Sequence, residues 1–129
     1  MIQTLLDAIH RQQIEQYEDE KVYELDCRNP KAEDSDVLLI TLAAFLGLQK
    51  TIELAHACHA KVVSLILWDP KNERTIPSGS YWPRAYRTIL PEQAVMEFQA
   101  SDMDLIYMRN PQDEDGNRLI RLDFQAMYA

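Results

Sequence analysis

Glycine is scarce in this chain, with three residues in 129, and none stands where a phosphate cradle would need it. The first apolar strand-like run is followed by Leu42-Ala43-Ala44-Phe45-Leu46, which offers no glycine-rich turn to wrap an anion. Cysteine is as rare. Cys27 and Cys58 have no partner pattern, so neither a disulfide framework nor a four-cysteine zinc site is implied, and a reduced interior is the expected setting. Long apolar runs are missing too. The longest charge-free stretch lies between Asp36 and Lys50, short of the about 20 residues that span a bilayer. The opening Met1-Ile2-Gln3-Thr4-Leu5-Leu6-Asp7 lacks the basic start and unbroken apolar core of a signal peptide. Cytoplasmic localisation, with no membrane association, is therefore expected.

What is present is ordinary globular composition, 47% hydrophobic and 26% charged, in a length that suits one domain spanning residues 1–129. The formal net charge is −8, and its distribution says more than its total. Acids crowd the stretch from Glu15 to Asp36, where Glu18, Asp19, Glu20, Glu24, Asp26, Glu33 and Asp34 far outnumber Lys21, Arg28 and Lys31. From Pro70 to Leu90 the sign reverses, with Lys71, Arg74, Arg84 and Arg87 against Glu73. The acidic total disfavours nucleic acid and anionic membranes as partners.

The central signal is an order of periodicities. Val37-Leu38-Leu39-Ile40-Thr41 reads as a strand, Leu42 to Ala60 as a helix, and Lys61 to Trp68 as a strand apolar on both faces except at Ser64. Such an order forms a βαβ unit with parallel strands, although a long buried helix starting near Ser35 would show the same apolar continuity. Thr41 is the expected helix N-cap, and Gly47 a weak point or break within the helix. Upstream, Ile2 to Tyr17 suits an amphipathic helix, and Val22 to Cys27 alternates as an outer strand should, with Tyr23, Leu25 and Cys27 on one side. Downstream, Pro91 opens a short helix that turns Ala94, Val95 and Phe98 inward. A C-terminal hairpin pairs Leu105–Met108 with Leu119–Phe124 around Asp115-Gly116. The expected architecture is α+β: a single two-layer domain with a mixed sheet of about five strands, a common count, and helices packed on it.

Four patterns resemble chemical sites and are weighed against plainer accounts. Glu53, His56 and His59 have helical metal-ligand spacing, but the remaining histidine, His10, would have to arrive from another helix, so incidental surface histidines explain them better and no metal is expected. Cys58 beside His59 projects about 100° away from it on a helix, which makes Cys58 a small core residue rather than a nucleophile, and Cys27 likewise. Asp113-Glu114-Asp115-Gly116 resembles a calcium loop, yet aligning Gly116 places Pro111 and Leu122 at the first and last ligand positions. The run Leu42 to Thr51 resembles a helix-turn-helix, but Glu53 would face the phosphates.

The strongest binding candidate is the segment leaving the second parallel strand. Asp69, Arg74, Tyr81, Trp82, Arg84, Tyr86 and Arg87 combine cations with aromatic faces, at the strand end where open α/β sheets take ligands. The competing account closes the core with Trp82 and Tyr86 and pairs the arginines with the acidic belt, within one chain or across a dimer. No catalytic constellation is assembled and no cofactor is implied. The sequence thus points to a non-enzymatic acidic intracellular binding protein of inhibitor, immunity or adaptor type, whose partner is another protein or a second copy. The alternative is a small anionic-ligand-binding protein or enzyme built on Asp69 and the arginine-rich aromatic loop.

Overall fold

A computed structural model describes residues 11–25, 31–40, 47–68, 91–109 and 119–127. They contain five strands, β1 (Val22–Glu24), β2 (Val37–Ile40), β3 (Val62–Trp68), β4 (Met103–Arg109) and β5 (Leu119–Ala126). Three helices accompany them: α1 over 11–16, α2 (Leu48–Ala57) and α3 (Pro91–Ala100). The sheet order is β1-β2-β3-β5-β4. β1, β2 and β3 run parallel, while β5 is antiparallel to both β3 and β4. This is the expected mixed five-stranded α+β fold, with β2-α2-β3 as its βαβ unit and β4-β5 as its C-terminal hairpin.

Burial follows position in the sheet. β2 is buried at every residue and β3 throughout Val63–Leu67, as strands covered on both faces must be. β1 and β4 at the rims alternate or stay wet. Because side chains alternate along a strand, the register sorts each residue to a face. Leu38, Ile40, Val63, Leu65, Leu67, Ile120, Leu122 and Phe124 share one core with Leu48, Ile52, Leu54 and Ala55 of α2 and Ala94 and Phe98 of α3. Phe98 and Phe124 stack there with centroids 4.3 Å apart. The helices divide between the faces, so the domain has three layers and not the expected two: α1 lies on the opposite side, over Ser64 and Asp123, because those polar side chains alternate with the core residues of β3 and β5.

Local chemistry explains the element ends. α2 starts at Leu48 because Gly47, at φ 80, takes the N-cap position in a backbone region that only glycine enters without strain. Thr51 returns its hydroxyl to the Gly47 carbonyl at 2.9 Å. α2 thus begins after Gly47 and ends before Ala60, and residues 42–46 of the expected helix lie outside the described residues. Thr41, the expected cap, lies outside the described residues. At the other end Ala60 N–H bonds the Ala55 carbonyl and His59 N–H the His56 carbonyl, a Schellman closure that puts His59 in the left-handed region at φ 56. Asp36 stitches the three parallel strands at their amino ends. Its carboxylate accepts from Lys21 N–H, its carbonyl accepts from Lys61 and Val62, and its own N–H bonds the Lys21 carbonyl.

The core and the left-handed cap each carry a measurable expectation. Phe98→Ala removes a fully buried ring and should cost about 3–5 kcal/mol in denaturant unfolding. His59→Gly should raise stability by up to about 1 kcal/mol, since glycine relieves a left-handed side chain and the His59–Asp34 pair that the change removes is solvent-exposed.

Candidate functional site

The richest chemistry among the described residues lies beneath α1. Arg121 and Asp123 are two apart on β5 and therefore share a face, the one opposite the apolar core. Both are buried, at 1% and 0% exposure. The guanidinium forks onto the carboxylate, Nε to Oδ1 at 3.0 Å and Nη2 to Oδ2 at 2.7 Å. Ser64, directly across on β3, donates its hydroxyl to Oδ1 at 2.5 Å. Tyr17, in the turn after α1, donates to Oδ2 at 2.9 Å. Asp123 thereby accepts four hydrogen bonds, which occupies its carboxylate.

A second tier ties in α1. Gln13 donates Nε2 to the Ser64 hydroxyl at 2.7 Å, so that Ser64 relays between amide and carboxylate. Gln16 Oε1 accepts from Arg121 Nη2 at 2.5 Å, and the guanidinium carbon sits 5.0 Å from the centre of the Tyr107 ring, within cation–π range. Further out, Arg109 donates to Gln12. Gln13 Oε1 is the buried side-chain acceptor without a protein partner among the described residues.

This arrangement sets the hydrogen-bonding role of each of its members. The Tyr17 phenol is pushed well above its ordinary value, first by burial and then by the charge and hydrogen bond of Asp123, with Arg121 opposing. Tyr17 stays a donor. Asp123 accepts from one guanidinium fork and two hydroxyls. Ser64 cannot be approached, being fully buried. The cluster is a polar brace between α1 and the sheet, with its charges matched internally.

None of the residues singled out from sequence belongs to it. Asp69, Arg74, Tyr81, Trp82, Arg84, Tyr86 and Arg87 all lie outside the described residues, as do Cys27, His10 and the acidic stretch 113–117. Glu53 and His56 are exposed on α2, whereas His59 falls beyond the helix, so the even helical spacing ends before it. His59 Nδ1 instead meets Asp34 Oδ1 at 2.9 Å. No group of three metal-ligating side chains occurs among the described residues. Cys58 is fully buried in the core, and burial pushes its thiol up, further from the reactive thiolate. α2 lays Leu48, Thr51, Ile52, Leu54 and Ala55 inward, which makes it a sheet-covering helix. No described helix is long and apolar enough to cross a membrane.

The brace is hidden in the sequence because its strongest signals are ambiguous. Arg121 and Asp123 alternate with Ile120, Leu122 and Phe124, the ordinary pattern of a half-wet strand. Only Ser64, a lone polar residue in an apolar central strand, hints at a polar partner on that face. Comparison with known proteins adds no relative: no family model and no curated protein matches the chain.

Two measurements test the brace. Asp123→Asn should cost about 3–5 kcal/mol, the usual result of stranding a buried charge, whereas Tyr17→Phe should cost only about 1–2 kcal/mol. Because the folded state holds the Tyr17 phenol protonated above its unfolded value near 10, its contribution is complete below about pH 10 and is lost as pH rises further. Tyr17→Phe should therefore flatten the alkaline fall in stability, read as unfolding midpoints from about pH 8 to about pH 11.

Proposed function

We propose that this chain is a non-enzymatic, acidic binding protein, of inhibitor, immunity or adaptor type, that acts by pairing with the surface of another protein. The observation that carries the reading is the outer strand β4. It closes the sheet order among the described strands, and it keeps Ile106 at 49% and Met108 at 54% exposure. An outer strand presents unpaired backbone donors and acceptors, and apolar side chains beside them add area to any chain that joins the sheet. The opposite rim is a poorer surface for this purpose. β1 has three residues and is surrounded by exposed Glu18, Asp19, Glu20 and Glu24.

The polar brace supports the same reading by subtraction. Ser64, Tyr17, Arg121 and Asp123, side chains that could do chemistry, are bonded to one another under α1 and serve stability.

A paired comparison tests this. The wild-type protein, an Ile106→Lys/Met108→Glu variant and a Glu53→Lys control on exposed α2 are used to retain partners from native lysate, with mass spectrometry and light scattering as readouts. A stoichiometric protein species, or self-association, should persist with wild type and control and vanish with the β4 variant. Equal retention by all three proteins would overturn the assignment to β4.

A further inference from the structure

We propose that the partner of β4 is a second copy of this chain, joined antiparallel about a two-fold axis so that Asp104 of each copy faces Arg109 of the other. This rests on the reading of β4 as a pairing edge and names its occupant.

The argument begins with an irregularity. Leu105 opposes Phe124 and Tyr107 opposes Asp123, so Ile106 is an extra residue in β4. In an uninterrupted strand, residues 104 and 109 have opposite parity: they point to opposite faces and alternate in the direction of their backbone groups. The bulge cancels that difference. Asp104 opposes Gln125 and Arg109 opposes Arg121, and Gln125 and Arg121 are four apart on β5. Asp104 and Arg109 therefore share the α1 face and the same hydrogen-bonding phase. Leu105 and Met108, opposite Phe124 and Leu122, share the other.

Antiparallel self-pairing needs both members of every opposed pair to match in face and phase. The register centred between Ile106 and Tyr107 meets that condition. It sets Asp104 against Arg109 and Leu105 against Met108, each twice by symmetry. A bulge ordinarily discourages edge pairing, but here it brings the two opposite charges into phase, with both bulges at the axis.

Electrostatics within one chain favours the same contact. Arg109 is exposed and stands directly opposite Arg121, a like-charge pair that destabilises neighbouring strands. Arg121 is matched by Asp123. The Gln12 amide oxygen that receives Arg109 brings no net charge, so a carboxylate from a second copy would complete that end of the strand. The Leu105–Met108 pairs cover the apolar side of the joint sheet, where Met108 in the single chain is more than half exposed.

Charge reversal in complementary halves tests the register. Wild type should show twice the 15.0 kDa chain mass by light scattering. Asp104→Lys alone and Arg109→Glu alone should each run as monomers, because each homodimer would oppose like charges at both ends. Mixing the two variants should restore the dimer. The introduced lysine of one then meets the introduced glutamate of the other, while the native Arg109 of the first meets the native Asp104 of the second. Circular dichroism of each variant should match wild type, as both sites are exposed. A wild type that stays monomeric from micromolar to millimolar concentration overturns self-pairing. In that case loss of a heterologous partner by Ile106→Lys/Met108→Glu would leave the binding role of β4 standing. A wild-type dimer indifferent to both reversals places the contact on another face and overturns the register and the edge together.

Discussion

A guanidinium and a carboxylate, both removed from water on the same strand, set the terms for one whole face of this sheet. Removing either charge from solvent is expensive, and the pair is tolerable only if geometry is good and leftover hydrogen-bonding capacity is filled. Arg121 and Asp123 meet the first requirement by standing two apart on β5, where the strand itself holds the fork. They meet the second by recruiting Ser64 from β3, Tyr17 and Gln16 from the α1 region, and the Tyr107 ring from β4. The position of α1 is thereby specified by directional bonds. An apolar contact in the same place would allow the helix to slide or rotate; hydrogen bonds to fixed partners on the sheet do not.

The two faces of the sheet therefore differ in what orients the helices packed on them. On one, Leu, Val and Phe side chains interlock with α2 and α3, and the gain scales with apolar area removed from water. On the other, Val37, Leu39 and Ile66 are buried as well, and beside them a polar network specifies one helix orientation. β3 and β5 participate in both at once through alternation. Leu65 and Leu122 enter the core while Ser64 and Asp123, their neighbours in sequence, enter the brace. At the outer rim, the single extra residue of β4 reverses that alternation, and it decides which side chains the edge presents together.

Much of the architecture is legible in the residues alone. The apolar run at 62–68 suits a strand covered on both faces, the run at 37–41 suits such a strand or the start of a buried helix, alternation at 22–27 suits a rim strand, and Pro91 with Ala94, Val95 and Phe98 marks a helix and its inward side. These patterns are local, and local sterics and hydrophobic periodicity are enough to read them. Gly47 is legible as a breaker but not as a cap, because the apolar residues before it continue the helical pattern. The brace is illegible for a different reason. A polar residue alternating in a strand looks the same whether it faces solvent or a helix, and nothing within β5 distinguishes the two.

Residue spacing along the chain was enough to set the class of fold, the C-terminal hairpin and the inward face of α3, because each depends on residues close together; that 37–40 is a strand paired parallel to β3, and not the start of a buried helix, was settled by the sheet register. Tertiary structure alone decided that Arg121 and Asp123 are buried, that Ser64 and Tyr17 complete them, and that a bulge at Ile106 brings Asp104 and Arg109 onto one face. Those outcomes depend on contacts between residues as far apart as Tyr17 and Asp123, and on the register between strands. Hydrogen-bond geometry and the exclusion of water set both only after the chain has closed on itself.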